Sequence, residues 1–183
     1  MEKATFAGGC FWGAEDTFRK IKGVTGTRVG YTGGSKENPD HIEVLSGKTG
    51  HVEAVEVTFD PAVVSFGELL AAFWKMHDPT LTRKELLRDI WDINDDSVLE
   101  SSPEYAGSHY RSAIFYHNEE QRQEAIKSFD ELQESIGRDK EVLTEIVPAT
   151  VFYQAEDEHQ QYLERSEGSK ESCGCKTGTC SIE

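Results

Sequence analysis

The stretch Gly8-Gly9-Cys10-Phe11-Trp12-Gly13-Ala14-Glu15 constrains this chain more than any other. A cysteine follows two glycines, with two large aromatic residues directly behind it. The apolar residues Ala4, Phe6 and Ala7 predict a short strand before it, and Phe11, Ala14, Phe18 and Ile21 fall near helical spacing after it. Cys10 is therefore expected at a strand-to-helix turn, at the helix N-terminus. Unpaired backbone N–H groups and the positive end of the helix dipole stabilise an anion there, and a thiolate is such an anion. An isolated cysteine is more often a small buried hydrophobe. The glycines, the helix start and the aromatic pair together point instead to a reactive thiol.

The rest of the composition narrows the setting. The 183 residues fit one domain with a core of its own, and the formal net charge of −15 argues against a nucleic-acid backbone or an anionic membrane surface as partner. The chain has no run of about 18 apolar residues, so no membrane span is expected. No basic segment followed by an apolar stretch precedes the first strand, so no signal peptide is expected and the reading is cytoplasmic. Stable structural disulfides are rare in that compartment, so the four cysteines read as catalytic, redox-active or metal-binding. One, Cys10, lies near the start, and Cys173, Cys175 and Cys180 cluster at the other end.

Taken in order, residues 23–31 predict a strand and 41–45 a short extended or irregular segment. Residues 51–59 predict a strong strand with Val55, Val57 and Phe59 on one face. Ser65-Phe66-Gly67-Glu68 is a capping box, opening a helix whose stripe of Phe66, Leu69, Leu70, Phe73 and Trp74 reads as core. A helix over 83–93, a strand over 110–116 and a long helix capped by Asn118 follow. The long helix has Ala125, Ile126, Phe129, Leu132 and Ile136 as its expected core stripe and Gly137 as terminator. A last strand over 142–147 and a short helix over 156–163 complete a domain spanning residues 1–163. From Glu164 the composition changes: apart from cysteines, Ile182 is the only apolar side chain, which predicts a mobile tail over 164–183. Helices mixed with strands joined by short turns predict an α+β sandwich with a mixed sheet.

Several blocks, in this order, resemble the peptide methionine sulfoxide reductase A family. They are Gly9-Cys10-Phe11-Trp12-Gly13, Val29-Gly30-Tyr31-Thr32-Gly33-Gly34, Glu43-Val44 with Ser46-Gly47, and Thr49-Gly50-His51. His77-Asp78-Pro79-Thr80, Tyr110-Arg111-Ser112-Ala113-Ile114-Phe115, and Glu156-Asp157 with His159-Gln160-Gln161-Tyr162-Leu163 continue the series. The resemblance implies a ferredoxin-like two-layer α/β sandwich. It implies a peptide-methionine (S)-S-oxide reductase that needs no bound cofactor or metal and acts on methionine sulfoxide, free or in oxidised proteins. It also implies that Cys10 attacks the sulfoxide sulfur, that Phe11 and Trp12 hold the S-methyl group, and that Glu43 protonates the oxygen. Tyr31 and Tyr110 would hydrogen-bond that oxygen. An acid in this role needs a raised pKa, which burial beside aromatics would supply. Loss of the oxygen leaves Cys10 as a sulfenic acid, which condenses with a second thiol. Cys173, Cys175 and Cys180 are the candidates to resolve it, and the resemblance implies thioredoxin, or another dithiol, as the reductant.

The chain departs from the family pattern at three places. Tyr105 stands where an acidic residue is usual, with Asp95, Asp96 or Glu104 as candidate substitutes, and Leu45 and His41 replace a cysteine and an aromatic. Two other classes compete. A thiol hydrolase or acyltransferase could use Cys10 with a histidine, but no hydrolase signature surrounds Cys10 and the tail thiols would have no task. A metal site of Cys173, Cys175, Cys180 and His159 would leave Cys10 unexplained. His51, His109 and His159 are read as structural hydrogen-bonders, and His77 with Asp78 as ordering a helix end.

Overall fold

The computed structural model describes residues 1–92, 95, 97–98 and 106–167. Cys173, Cys175, Cys180, Tyr105, Asp96 and Glu104 lie outside the described residues. The elements are β1 (Glu2–Ala7), α1 (Phe11–Arg19), β2 (Val24–Thr32), α2 (His41–Leu45), β3 (Val52–Phe59), α3 (Phe66–Met76) and α4 (Arg83–Trp91). After a 3-10 turn (Ser108–Tyr110) come β4 (Ala113–Tyr116), α5 (Glu119–Ile136), β5 (Glu145–Pro148) and β6 (Tyr153–Gln154), then a 3-10 turn (Asp157–His159) and α6 (Tyr162–Glu167). Helix α6 crosses the position at which the composition changes.

The strands form one sheet in the order β5-β4-β1-β3-β2-β6. All neighbours are antiparallel except β4 and β5, which run parallel and are therefore joined by a crossover helix, α5. The α+β class and the mixed sheet expected from the pattern are both present. The central order β4-β1-β3-β2 is compatible with a ferredoxin-like sandwich.

One face of the sheet carries the main core. Phe6 of β1 and Val55, Val57 and Phe59 of β3 alternate inward, as period-2 strands require, against Phe18 of α1, Leu69, Leu70 and Phe73 of α3 and Ala125 of α5. Phe6 sits at the centre, stacked on Phe18 at 4.8 Å and on Phe73 at 5.3 Å between ring centroids. Burying an aromatic or aliphatic side chain of this size contributes about 1.5–3 kcal/mol. The stripe expected on α5 is corrected: of its residues only Ala125 is buried, Phe129, Leu132 and Ile136 are half-buried and Ile126 is 37% exposed, while Gln121 is buried because its amide donates to the Lys3 carbonyl of β1.

Two local expectations also change. Residues 41–45 are a helix, because Asp40 and Glu43 form a reciprocal capping box at its start. Tyr110 ends a 3-10 turn before β4 rather than starting the strand. His77 closes α3 as expected, its ring held between the Phe73 carbonyl (3.0 Å) and Ser112 Oγ (2.8 Å). Burial pushes this imidazole down to about 4, so it serves as a neutral brace.

Candidate active site

Cys10 is the N-cap residue of α1, with extended backbone (φ −66°, ψ 127°) and a side chain that makes no capping hydrogen bond. The turn that delivers it depends on Gly9, whose φ of 83° lies in the left-handed region. Gly9 N–H also donates to the Tyr110 carbonyl at 3.1 Å, which ties the cysteine turn to the Tyr110 turn. A Cβ at this φ costs about 1–2 kcal/mol. Gly9→Ala is therefore expected to lose that much in urea unfolding and to slow the chemistry by shifting Cys10. Unchanged stability would contradict the strained turn.

Cys10, Phe11, Tyr31 and Tyr110 are packed in one buried cluster with Val29, Val44 and Ala155, and Trp12 lies against it. Phe11 is the hub of an aromatic box. Its ring lies 6.3 Å from Trp12, 6.0 Å from Tyr31, 6.2 Å from His41 and 5.5 Å from His159. Trp12 stacks on Tyr162 of α6 at 3.9 Å. A separate cavity of about 490 Å³ adjoins the cysteine turn through Gly8 and Gly9, but Cys10, Phe11 and Trp12 do not line it.

Glu43 stands apart from this cluster. Its side chain is 40% exposed, it pairs with Lys36 at 3.0 Å, and it accepts from Asp40 N–H in the capping box. Lys36 and that backbone donor hold its carboxyl below the usual carboxylate range. The expectation of a buried, proton-holding Glu43 is thereby corrected. Asp95 is likewise an exposed turn carboxylate, held by Ser97 N–H and Oγ, and its pKa is lowered by those bonds.

The properties expected of Glu43 belong to Glu53. This carboxyl is 2% exposed, on the same face of β3 as Val55 and Val57, opposite Tyr31 in the β2–β3 register. Its Oε2 accepts the N–H of Phe11, the residue after Cys10, at 3.1 Å, and its Oε1 lies 3.5 Å from His41 Nε2. Burial pushes the Glu53 carboxyl up, against the opposing pull of His41 and of Phe11 N–H. A carboxyl in such a place can keep a proton near neutral pH. The signal was the strand itself: the row Phe59, Val57, Val55 continues, two residues further, to Glu53.

Tyr31 is brought into the cluster, but its hydroxyl donates to Glu156 Oε2 at 2.8 Å. Burial and this carboxylate push the phenol far up, so it keeps its proton. That corrects the expectation of a Tyr31 hydroxyl offered to a substrate oxygen. Glu156 Oε1 also takes the N–H of His41, so one carboxylate joins β2 to the start of α2. Around it, the Gln160 side chain bonds both the N–H and the carbonyl of Val29, and Gln161 N–H donates to the buried Glu15. The Glu156–Gln161 block is thus a clamp that closes the aromatic box, which sequence reasoning did not assign. His159 belongs to this wall: its ring lies 4.3 Å from His41 and 5.6 Å from Trp12.

The arrangement joins a helix-terminal thiol, an aromatic box and a buried carboxyl. Residues 2–86 and 81–181 match the family model described as peptide methionine sulfoxide reductase. A relative from Methanothermobacter thermautotrophicus, named peptide methionine sulfoxide reductase MsrA, is 51% identical over 166 residues, covering 90% of this chain and 88% of the relative. The structure of methionine sulfoxide reductase A of Corynebacterium diphtheriae is similar at a TM-score of 0.74 and 33% identity, covering 97% of this chain and 82% of that one. Reduced Mxr1 from Saccharomyces cerevisiae gives a TM-score of 0.77 at 28% identity, covering 99% of this chain and 92% of that one. This chain therefore belongs to the peptide methionine sulfoxide reductase A family, the thiol-dependent oxidoreductases that return methionine sulfoxide to methionine.

Proposed function

We propose that this chain reduces the S epimer of methionine sulfoxide, free or within oxidised proteins, with Cys10 as nucleophile and Glu53 as proton donor. The observation that carries this reading is the fully buried Glu53 carboxyl bonded to the backbone N–H that follows Cys10. A sulfoxide sulfur is modestly electrophilic, and thiolate attack drives negative charge onto its oxygen. A protonated carboxyl stabilises that charge as it develops. The Tyr110 hydroxyl is our second donor. The methyl group rests on the apolar ring faces of Phe11 and Trp12. Discrimination between epimers follows, because exchanging methyl and oxygen would set the polar atom on the aromatic wall.

Oxygen transfer leaves Cys10 as a sulfenic acid. A thiol of Cys173, Cys175 or Cys180 then displaces its hydroxyl as water and forms a disulfide. Helix α6 is anchored beside the pocket by the Tyr162–Trp12 stack, and Cys173 lies six residues past its end at Glu167. Six residues span up to about 20 Å, which sets how far from the end of α6 the Cys173 thiol can reach. Thioredoxin, or another dithiol, reduces the product disulfide, a reading supported by the solved complex of the yeast relative Mxr1 with Trx2. No bound cofactor takes part in this scheme. Among the described residues no helix is long and apolar enough to cross a membrane. A cytoplasmic setting agrees with a cycle that depends on reduced thiols.

The test is chiral analysis of racemic methionine sulfoxide incubated with the protein and dithiothreitol. The S epimer is expected to disappear while the R epimer persists; consumption of both, or of neither by folded protein, overturns the reading. A chain truncated after Glu167 is expected to complete one turnover but to lose thioredoxin-driven cycling. Full cycling in that truncation would remove the tail from the scheme.

A further inference from the structure

His41 lies at this site and has no part in the scheme above. It opens α2 and is half-buried, with Nε2 3.5 Å from Glu53 Oε1. That distance is long for a strong hydrogen bond but within ion-pair reach. The opposite carboxylate oxygen is fixed by Phe11 N–H. The ring lies nearly parallel to those of Phe11 (16°) and Tyr31 (17°) and packs against His159, and the His41 backbone N–H is held by Glu156.

We propose that His41 and Glu53 hold one proton between them, with His41 the positioning residue that keeps this proton available to Glu53 at alkaline pH. The proposal rests on the reading of Glu53 as proton donor. Two arrangements share the proton: a neutral carboxyl beside a neutral imidazole, and a carboxylate beside an imidazolium. Burial favours the first and the charge attraction favours the second, so the pair loses its proton in one macroscopic step. The groups facing His41 are Glu53 from β3, Tyr31 from β2, Asp40 at the helix cap, Glu156, Glu158 and His159 from the clamp, and His109 from the Tyr110 turn. The two other histidines are pushed down by burial, His109 to about 4, so neither competes as a cation near neutral pH. The Glu53 carboxyl, followed by the carboxylates of Glu156 and Glu158, raises His41 against the opposing effect of burial.

In the reaction the Cys10 thiolate attacks the sulfoxide sulfur, the S–O electron pair moves onto oxygen, and the shared proton passes to that oxygen from Glu53. The hydroxyl then transfers to the Cys10 sulfur. Thiolate, proton and sulfoxide become sulfenic acid and thioether; the methionine sulfur gains the two electrons that the Cys10 sulfur loses. The pair remains as carboxylate and neutral imidazole.

The test is the single-turnover rate of methionine formation against pH, in the full chain. In the wild type the rate falls on the alkaline side as the pair loses its proton. In His41→Phe, Glu53 must hold the proton alone, without the carboxylate–imidazolium arrangement, and the alkaline limb is expected to move down by on the order of one pH unit; a limb that moves up, as loss of the His41 pull on Glu53 alone would give, overturns the proposal. A uniform loss of rate with the limb unmoved means that His41 is only a wall of the box, and overturns the proposal. Glu53→Gln separates this from the underlying reading: full rate in that variant removes Glu53 as donor, whereas a lost rate with an unmoved His41→Phe limb removes only the pairing. NMR titration of the His41 ring supplies a second arm if His41→Phe does not fold. Its midpoint is expected to fall in Glu53→Gln, and an equal midpoint in both proteins overturns the pair.

Discussion

Replacing Glu53 by Gln is expected to slow methionine formation in a single turnover by about 10²- to 10⁴-fold, the usual worth of a positioned general acid. Glutamine keeps the shape, and its carbonyl can still accept Phe11 N–H, so the pocket survives while the transferable proton does not. Stability should hold or rise, because a buried carboxyl no longer competes with its own desolvation. The paired control is Glu43→Gln. That carboxyl sits in an exposed capping box and a surface ion pair, so its loss is expected to leave the rate within about twofold. If the two variants behaved alike, the assignment of Glu53 as the donor would be wrong.

Cys10→Ser is expected to abolish turnover altogether while leaving the fold intact or firmer. A hydroxyl cannot accept the oxygen and cycle as a thiol does. Cys10 is also an N-cap whose side chain caps nothing, and serine is among the best N-cap residues, worth up to about 1 kcal/mol over a non-capping side chain. A stabilised, inactive protein in urea unfolding and activity assays is therefore the expected outcome. A function-bearing residue in a place where local rules prefer another is the signature of a site. Residual activity in Cys10→Ser would shift the nucleophile elsewhere.

Much of this architecture is legible in the residues. The strand–Cys10–helix turn, the Ser65 and Asn118 caps and the row Val55, Val57, Phe59 follow from local rules that tertiary structure does not override. The acid is harder, because Glu43 and Glu53 are the same residue type ten positions apart and differ in burial. Two local patterns do distinguish them. Asp40-x-x-Glu43 is a capping box, which commits Glu43 to a helix start, and the period-2 row of β3 places Glu53 in the core. The clamp around Glu156 has no such local signature. Tyr31 meets Glu156 across 125 positions, and Gln160 meets Val29 across 131, so only the folded chain reveals that the Tyr31 proton is already committed. Ile126 shows the converse: apolar spacing on α5 nominates it, but the sheet accepts the amide of Gln121 instead.

The central claim is that the oxygen leaves methionine sulfoxide for the sulfur of Cys10. The most direct measurement mixes the chain truncated after Glu167 with one equivalent of methionine sulfoxide, without reductant, and follows methionine release alongside mass analysis of a dimedone-trapped Cys10. One methionine per chain, with the trap on Cys10, is the predicted result. Methionine release with an unmodified Cys10, or no methionine from folded protein, would contradict it.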